Sequence, residues 1–213
     1  MRIFKRKLYE KLLDWKNNRG GRTAVLIEGA RRVGKSTLAR QFAQNEYESY
    51  VMIDFSIVKK DILELFDSIA DLDYFFLQLQ FRLGVSLKER KSLIIFDEVQ
   101  MCPKARQAIK HLVADGRYDY IETGSLISIR KNVKDIVIPS EEEKMILHPL
   151  DYEEFKWALG DTTTIAQMRM IFEKRLSMGD AVTRKLMRDF RLYMAVGGMP
   201  QAVEAYIEKK NFD

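Results

Sequence analysis

An α/β fold around a mostly parallel sheet is what this sequence predicts, and three observations predict it. Short strand-forming runs (Thr23–Ile27, Tyr50–Asp54, Ser92–Phe96 and Tyr118–Thr123) recur along the chain. Segments with helical periodicity lie between them, and strands alternating with helices imply βαβ units with right-handed crossovers. Finally, the first run leads into Gly29–Ser36, which fits G-x-x-x-x-G-K-[ST] at every position. That pattern needs a strand before it and a helix after it.

Taken in order, residues 4 to 17 place Phe4, Leu8, Leu12, Leu13 and Trp15 at helical spacing, and Gly20-Gly21 stops the helix. Thr23–Ile27 has the continuous apolar character of a strand buried on both faces. Ser36 to Asn45 reads as a helix, Tyr50–Asp54 as the second strand, and residues 57 to 84 as two helices broken near Asp71 to Asp73. Ser92–Phe96 is the third strand. Pro103 opens a helix that runs to about Ala114, since proline suits the first turn. Tyr118–Thr123 is the fourth strand and ends in Gly124-Ser125. Glu141-Glu142-Glu143 reads as a solvated turn. From Asp151 the pattern is helical apart from Gly197-Gly198, with Met168, Met170 and Met178 as packing residues. The expected divisions are a basic N-terminal helix (1–22) packing on the core, an α/β core (23–150) and a helical lid region (151–213).

The 213 residues are 46% hydrophobic and 31% charged, the balance of a globular domain. No apolar run approaches the roughly 18 residues needed to span a bilayer, and the basic N-terminus is not followed by a signal-peptide core. The lone cysteine, Cys102, excludes an internal disulfide. These features lead to the expectation of a cytoplasmic protein. The net charge is +5, but residues 1 to 22 hold eight basic and two acidic residues, so the excess is N-terminal. Such a stretch is commonly a solvated helix face, and it also allows contact with nucleic acid or an acidic partner.

In Gly29-Ala30-Arg31-Arg32-Val33-Gly34-Lys35-Ser36 the glycines let the backbone wrap closely, so that N–H groups turn toward phosphate oxygens. The following helix offers its positive end to the same anion. Lys35 reaches the β- and γ-phosphates, and the Ser36 hydroxyl suits Mg²⁺. Arg31 and Arg32 lie in the loop without a catalytic assignment.

Ser92–Phe96 ends in Asp97-Glu98. Hydrolysis of a phosphoanhydride needs a carboxylate near Mg²⁺ and a group that activates water. Asp97 is assigned to the Mg²⁺ shell, Glu98 to the water. If the fourth strand lies beside the loop strand, Ser125 or Thr123 reaches the γ-phosphate or the attacking water. Arg184, Arg188 and Arg191 share a helix face, which reads first as a solvated basic face and otherwise as a lid contact to the nucleotide. Arg117 and Arg130 are considered as γ-phosphate contacts supplied by a neighbouring protomer. Cys102, His111 and His148 lack partners at ligand spacing, and Asp54 reads as a cap.

Gly-Ala-Arg-Arg-Val-Gly-Lys-Ser-Thr (29–37), Phe-Asp-Glu-Val-Gln (96–100), Thr-Gly-Ser (123–125), Pro-Leu-Asp-Tyr-Glu-Glu-Phe (149–155) and Gly-Gly-Met-Pro (197–200) together resemble prokaryotic AAA-type P-loop ATPases. More closely, they resemble the archaeal and bacterial "ATP-binding protein" group that carries a C-terminal domain of unknown function. The resemblance implies a three-layer P-loop NTPase fold, with a parallel five-stranded sheet ordered 5-1-4-3-2, of the additional-strand, catalytic-Glu type, plus a C-terminal helical lid. It implies nucleotide contacts from Gly29 through Thr37, with Ser36 and Asp97 at Mg²⁺, Glu98 as base and Ser125 as sensor. ATP is preferred over GTP on the same ground and because no N-K-x-D sequence occurs. Group members usually continue past Gly-Gly-x-Pro, so a C-terminal partner domain is expected beyond Asp213, and homo-oligomers are known for such ATPases. The functional expectation is Mg²⁺-dependent ATP hydrolysis that moves the lid or a partner domain. The alternatives are an ATP-operated switch and a nucleic-acid-stimulated ATPase.

Overall fold

The structure is a computed structural model that describes residues 2–125 and 141–209. The chain divides into two compact units, Leu8–Leu147 and Met1–Lys7 with His148–Asp213.

The first unit is a three-layer α/β domain. Its helices are α1 (Leu8–Arg19), α2 (Lys35–Glu46), α3 (Lys60–Leu65), α4 (Leu72–Leu83) and α5 (Pro103–Asp115). Its strands are β1 (Ala24–Gly29), β2 (Ser49–Asp54), β3 (Ser92–Asp97), β4 (Asp119–Ser125) and β5 (Glu142–Leu147). All four strand pairings are parallel, in the order β2-β3-β4-β1-β5. This is the expected 5-1-4-3-2 order read from the other edge.

Alternation along the strands builds the layers. Val25, Ile27, Leu93, Ile95 and Ile121 face one side, where Leu8, Leu12 and Trp15 of α1 and Leu38 and Phe42 of α2 cover them. Ala24, Leu26, Ile94 and Phe96 face the other side, under residues of α3, α4 and α5. Asp71 caps α4 by accepting from the Tyr74 N–H at 2.9 Å, which explains the break expected there.

Two expectations need correction. The acidic run is no solvated turn. Glu142 and Glu143 begin β5, and the Glu142 side chain is fully buried against Arg106 of α5, 3.0 Å away. Three consecutive glutamates carry no apolar signal, so the pairing with β1 could not be read from them. The first helix also begins later than expected, at Leu8, and Phe4 belongs to the core of the second unit.

The second unit is helical: α6 (Tyr152–Ala158), α7 (Thr164–Glu173), α8 (Gly179–Val196) and α9 (Pro200–Lys209). Asp151 and Glu154 form a capping box at the start of α6. Arg6 lies 3.3 Å from Glu154 in a buried ion pair, and Lys7 pairs with Asp151 at 2.6 Å and Glu153 at 2.8 Å. A Cβ on Gly198 would sit 2.1 Å from the Leu150 carbonyl oxygen, and the Leu150 N–H donates to the Gly198 carbonyl at 2.7 Å. This close approach couples Gly-Gly-Met-Pro to Pro-Leu-Asp-Tyr-Glu-Glu-Phe. Met170, expected to pack, is 54% exposed. Among the described residues no helix is long and apolar enough to cross a membrane.

Candidate phosphate-binding site

The site is built where β1 and β3 end. Gly29 closes β1 between Ser125 of β4 and Leu147 of β5. A Cβ there would meet the Leu147 carbonyl oxygen at 2.3 Å, so the close approach of β5 demands glycine. The loop then makes two left-handed steps, at Arg32 (φ 65°) and Gly34 (φ 99°). Gly34 adopts that conformation without steric cost, whereas Arg32 does so against its Cβ. Ala30, Arg31 and Arg32 are exposed and Val33 is buried. Helix α2 follows at once, and its free N-terminal N–H groups and dipole favour an anion.

Lys35 is buried, and its Nζ donates to the carbonyls of Gly29 (3.2 Å) and Ala30 (2.9 Å). Burial pushes the ammonium below its usual pKa, while the carboxylates of Glu98 and then Asp97 act in the opposite direction. Ser36, one residue on, donates from Oγ to Asp97 Oδ1 at 2.7 Å. Thr37 is half-buried in the same turn.

Asp97 ends β3 and is buried. Its Oδ1 also accepts from the Thr123 hydroxyl of β4, and Thr123 Oγ1 in turn accepts the Glu98 N–H at 3.4 Å. Glu98 takes a left-handed backbone (φ 54°, ψ 45°) and leads into a 3-10 turn over Val99–Met101. Gln100, in that turn, donates from Nε2 to Glu98 Oε2.

Lys35, Ser36, Asp97 and Glu98, chosen from the sequence at two separate places, thus meet at one edge of the sheet. Ser125 stands opposite Gly29 at the tip of β4, but its hydroxyl bonds none of the described residues. Thr123, the other candidate on β4, carries the contacts to the acidic pair. Gln100 was missed. It lies in the Asp-Glu-Val-Gln run, yet nothing in the sequence reveals that the turn folds its amide back.

The arginines considered for the γ-phosphate fare differently. Arg117 precedes β4 and so lies at the opposite edge of the parallel sheet. There it pairs with Asp115 (2.8 Å) and Asp73 (2.7 Å) and stacks on Phe76. Arg184, Arg188 and Arg191 are exposed on α8 in the helical unit, and Arg130 falls outside the described residues. Asp54 caps its own turn by accepting from Ser56 N at 2.9 Å, and Cys102 is a core residue. Among the described residues no three His, Cys, Asp or Glu side chains converge. The donor set that is present, one hydroxyl and one carboxylate, is of the hard-oxygen kind that suits Mg²⁺ shared with a phosphate.

An AAA-domain family model matches residues 21–156, well over half of the chain. No curated protein matches the sequence. Among solved structures, a STAND-class signal-transduction ATPase with a tetratricopeptide-repeat sensor from Pyrococcus horikoshii is 16% identical with TM-score 0.53, and the match covers 100% of this chain and 31% of that one. The ORC1 protein of Aeropyrum pernix, solved with DNA, is 12% identical (TM-score 0.49; 75% of this chain, 49% of that one). PCH-2 of C. elegans is 14% identical (TM-score 0.48; 96% and 60%). The chain therefore spans less than two thirds of each of these structures, and the first of them shares its fold. By its sequence match and its sheet, the chain belongs to the AAA-type P-loop ATPases.

Proposed function

We propose that this chain binds Mg·ATP in the loop from Gly29 to Thr37 and hydrolyses its β–γ anhydride. The observation that carries the reading is the convergence of Lys35, Ser36, Asp97 and Glu98, with Ser36 Oγ and Asp97 Oδ1 2.7 Å apart.

Lys35 holds two loop carbonyls that phosphate oxygens would replace, and a desolvated ammonium attracts phosphate more strongly than a hydrated one. Ser36 and Asp97 would hold Mg²⁺, Asp97 through water. When bound, the ion offsets charge on the phosphates. Glu98 orients the attacking water and accepts its proton. Thr123 keeps the Asp97 carboxylate turned toward Ser36, and Ser125, at the tip of β4, senses the γ-phosphate. The preference for ATP follows from the family.

Phosphate release from Mg·ATP, measured with the wild type, Lys35→Ala and Glu98→Gln, tests this. Turnover should fall at least about 100-fold in both variants, with ATP binding kept by Glu98→Gln and lost by Lys35→Ala. A wild type that binds ATP yet releases no more phosphate than Glu98→Gln would instead favour a nucleotide-operated switch.

A further inference from the structure

Gln100 is a polar side chain in an apolar place. Its neighbours in the chain, Val99 and Cys102, belong to the core, and Gln100 itself is 7% exposed. The turn that carries it is closed by two backbone bonds, Met101 N–H to the Glu98 carbonyl (2.9 Å) and Cys102 N–H to the Val99 carbonyl (3.1 Å). Its amide therefore lies beside the Glu98 side chain two residues back, and Nε2 donates to Glu98 Oε2.

The chemistry fixes which end of the amide faces the glutamate. A carboxylate only accepts, so the NH₂ end must point to it. That leaves Oε1 buried, and it has no hydrogen-bond partner among the described residues. A buried carbonyl without a donor is destabilising, and an apolar side chain of the same length would carry no such penalty. Among the described residues, the one bond the amide makes is the one to Glu98.

Glu98 needs such a tether. It is half-buried in a left-handed conformation, and among the described residues its N–H is held by the long bond to Thr123 alone. A glutamate side chain has three rotatable bonds, and activating water requires its carboxylate to be held to within a fraction of an ångström.

We propose that Gln100 is a positioning residue for hydrolysis: its amide N–H clamps Oε2 of Glu98, leaving Oε1 to address water. This rests on Glu98 acting as the base. The amide of Gln100 is turned to Glu98, so it acts on turnover and not on affinity.

The test is steady-state Mg·ATP hydrolysis by the full chain for wild type, Gln100→Met, Glu98→Gln and the double variant, with thermal unfolding and fluorescent-ATP binding alongside. Gln100→Met should lower kcat about tenfold with KM and ATP affinity unchanged and no loss of thermal stability. In the Glu98→Gln background it should have no further effect. Gln100→Ala gives the same readings should Met overpack the turn. Wild-type kcat in Gln100→Met, a change confined to KM, or an equal kcat loss in the Glu98→Gln background each overturns the assignment. Failure of the base reading looks different, because Glu98→Gln, which leaves Gln100 intact, would then turn over like wild type. That outcome also overturns the clamp.

Discussion

Two polar clusters lie inside the same α/β unit, and they are built on opposite terms. At the end of β1 and β3, Lys35 bonds two carbonyls, and Ser36 and Thr123 share one oxygen of Asp97, contacts that a ligand could replace. The second cluster is sealed. The side chains of Arg106 of α5, Glu122 of β4 and Glu142 of β5 are buried, with Glu122 opposite Leu26 of β1 and Glu142 opposite Ala24. Arg106 Nε and Nη1 have no partner among the described residues. Burial, then the adjacent Glu142, hold the Glu122 carboxyl far above the usual range, against the pull of Arg106. Protonated, Glu122 can donate to Glu142, which satisfies a pair that as two carboxylates would only repel. The comparison separates exchangeable burial, which belongs to the proposed chemistry, from permanent burial, which belongs to folding.

The largest effect expected from breaking the second cluster follows from Arg106→Met. It leaves the Glu142 carboxylate buried without its cation, which costs about 3–5 kcal/mol. Urea unfolding should register that loss, while the fraction still folded binds ATP as wild type does. A loss under about 1 kcal/mol would mean that water reaches the cluster.

Breaking the first cluster should act on turnover instead. Thr123→Val keeps the shape of a fully buried residue but removes the hydroxyl that links Asp97 to the Glu98 N–H. A fall in kcat of about tenfold, or about 1.4 kcal/mol, is expected from phosphate-release assays. Ser125→Ala, two residues further along β4, should leave the unfolding midpoint unchanged, since its hydroxyl bonds none of the described residues. If Thr123→Val retained full turnover, the β4 contact to the acidic pair would be structural only.

The two clusters also differed in how far the sequence exposed them. The loop and the acidic pair were legible because phosphate chemistry dictates residue types at fixed spacing: Gly29 where β5 approaches closely, Gly34 where the backbone turns left-handed, and Lys35-Ser36 on the helix start. Four strands were legible as apolar runs. β5 was not, because it begins with Glu142 and Glu143, and its pairing with β1 depends on a burial partner, Arg106, far away in the chain. Thr123 and Gln100 were hidden for a related reason. Their roles arise from a hydroxyl and an amide meeting carboxylates across strands and turns, and spacing does not encode such contacts.

Glu122→Gln sharpens the comparison through its sign. The unfolded glutamate titrates near about 4.3, whereas the folded one keeps its proton to much higher pH. Above about pH 4.3 the folded state therefore binds more protons than the unfolded state, and stability falls as pH rises toward the folded value. Glutamine donates at every pH and removes that slope. The variant should match wild type near pH 4 and gain more than about 1.4 kcal/mol, the worth of one pKa unit, by pH 8, read as a widening difference in unfolding midpoint. Parallel pH curves for the two proteins would mean that Glu122 does not share a proton in the fold.

The smallest effect belongs to a third cluster, which shows what solvent does to the same chemistry. Glu48 lies 2.7 Å from both Lys88 and Lys91, and all three side chains are well exposed. The two ammonium hydrogen bonds pull its carboxyl down to about 2. The slope is opposite to that of Glu122: any contribution is present above about pH 4.3 and fades as pH falls toward 2. Exposed pairs are screened by salt and bear the entropy of ordering two long side chains. Glu48→Gln should therefore leave the unfolding midpoint unchanged at physiological ionic strength and lower it only slightly at low salt. A large loss there would mean that charge pairing at the surface stabilises this fold as much as pairing in its interior, and the contrast between sealed and open clusters would no longer hold.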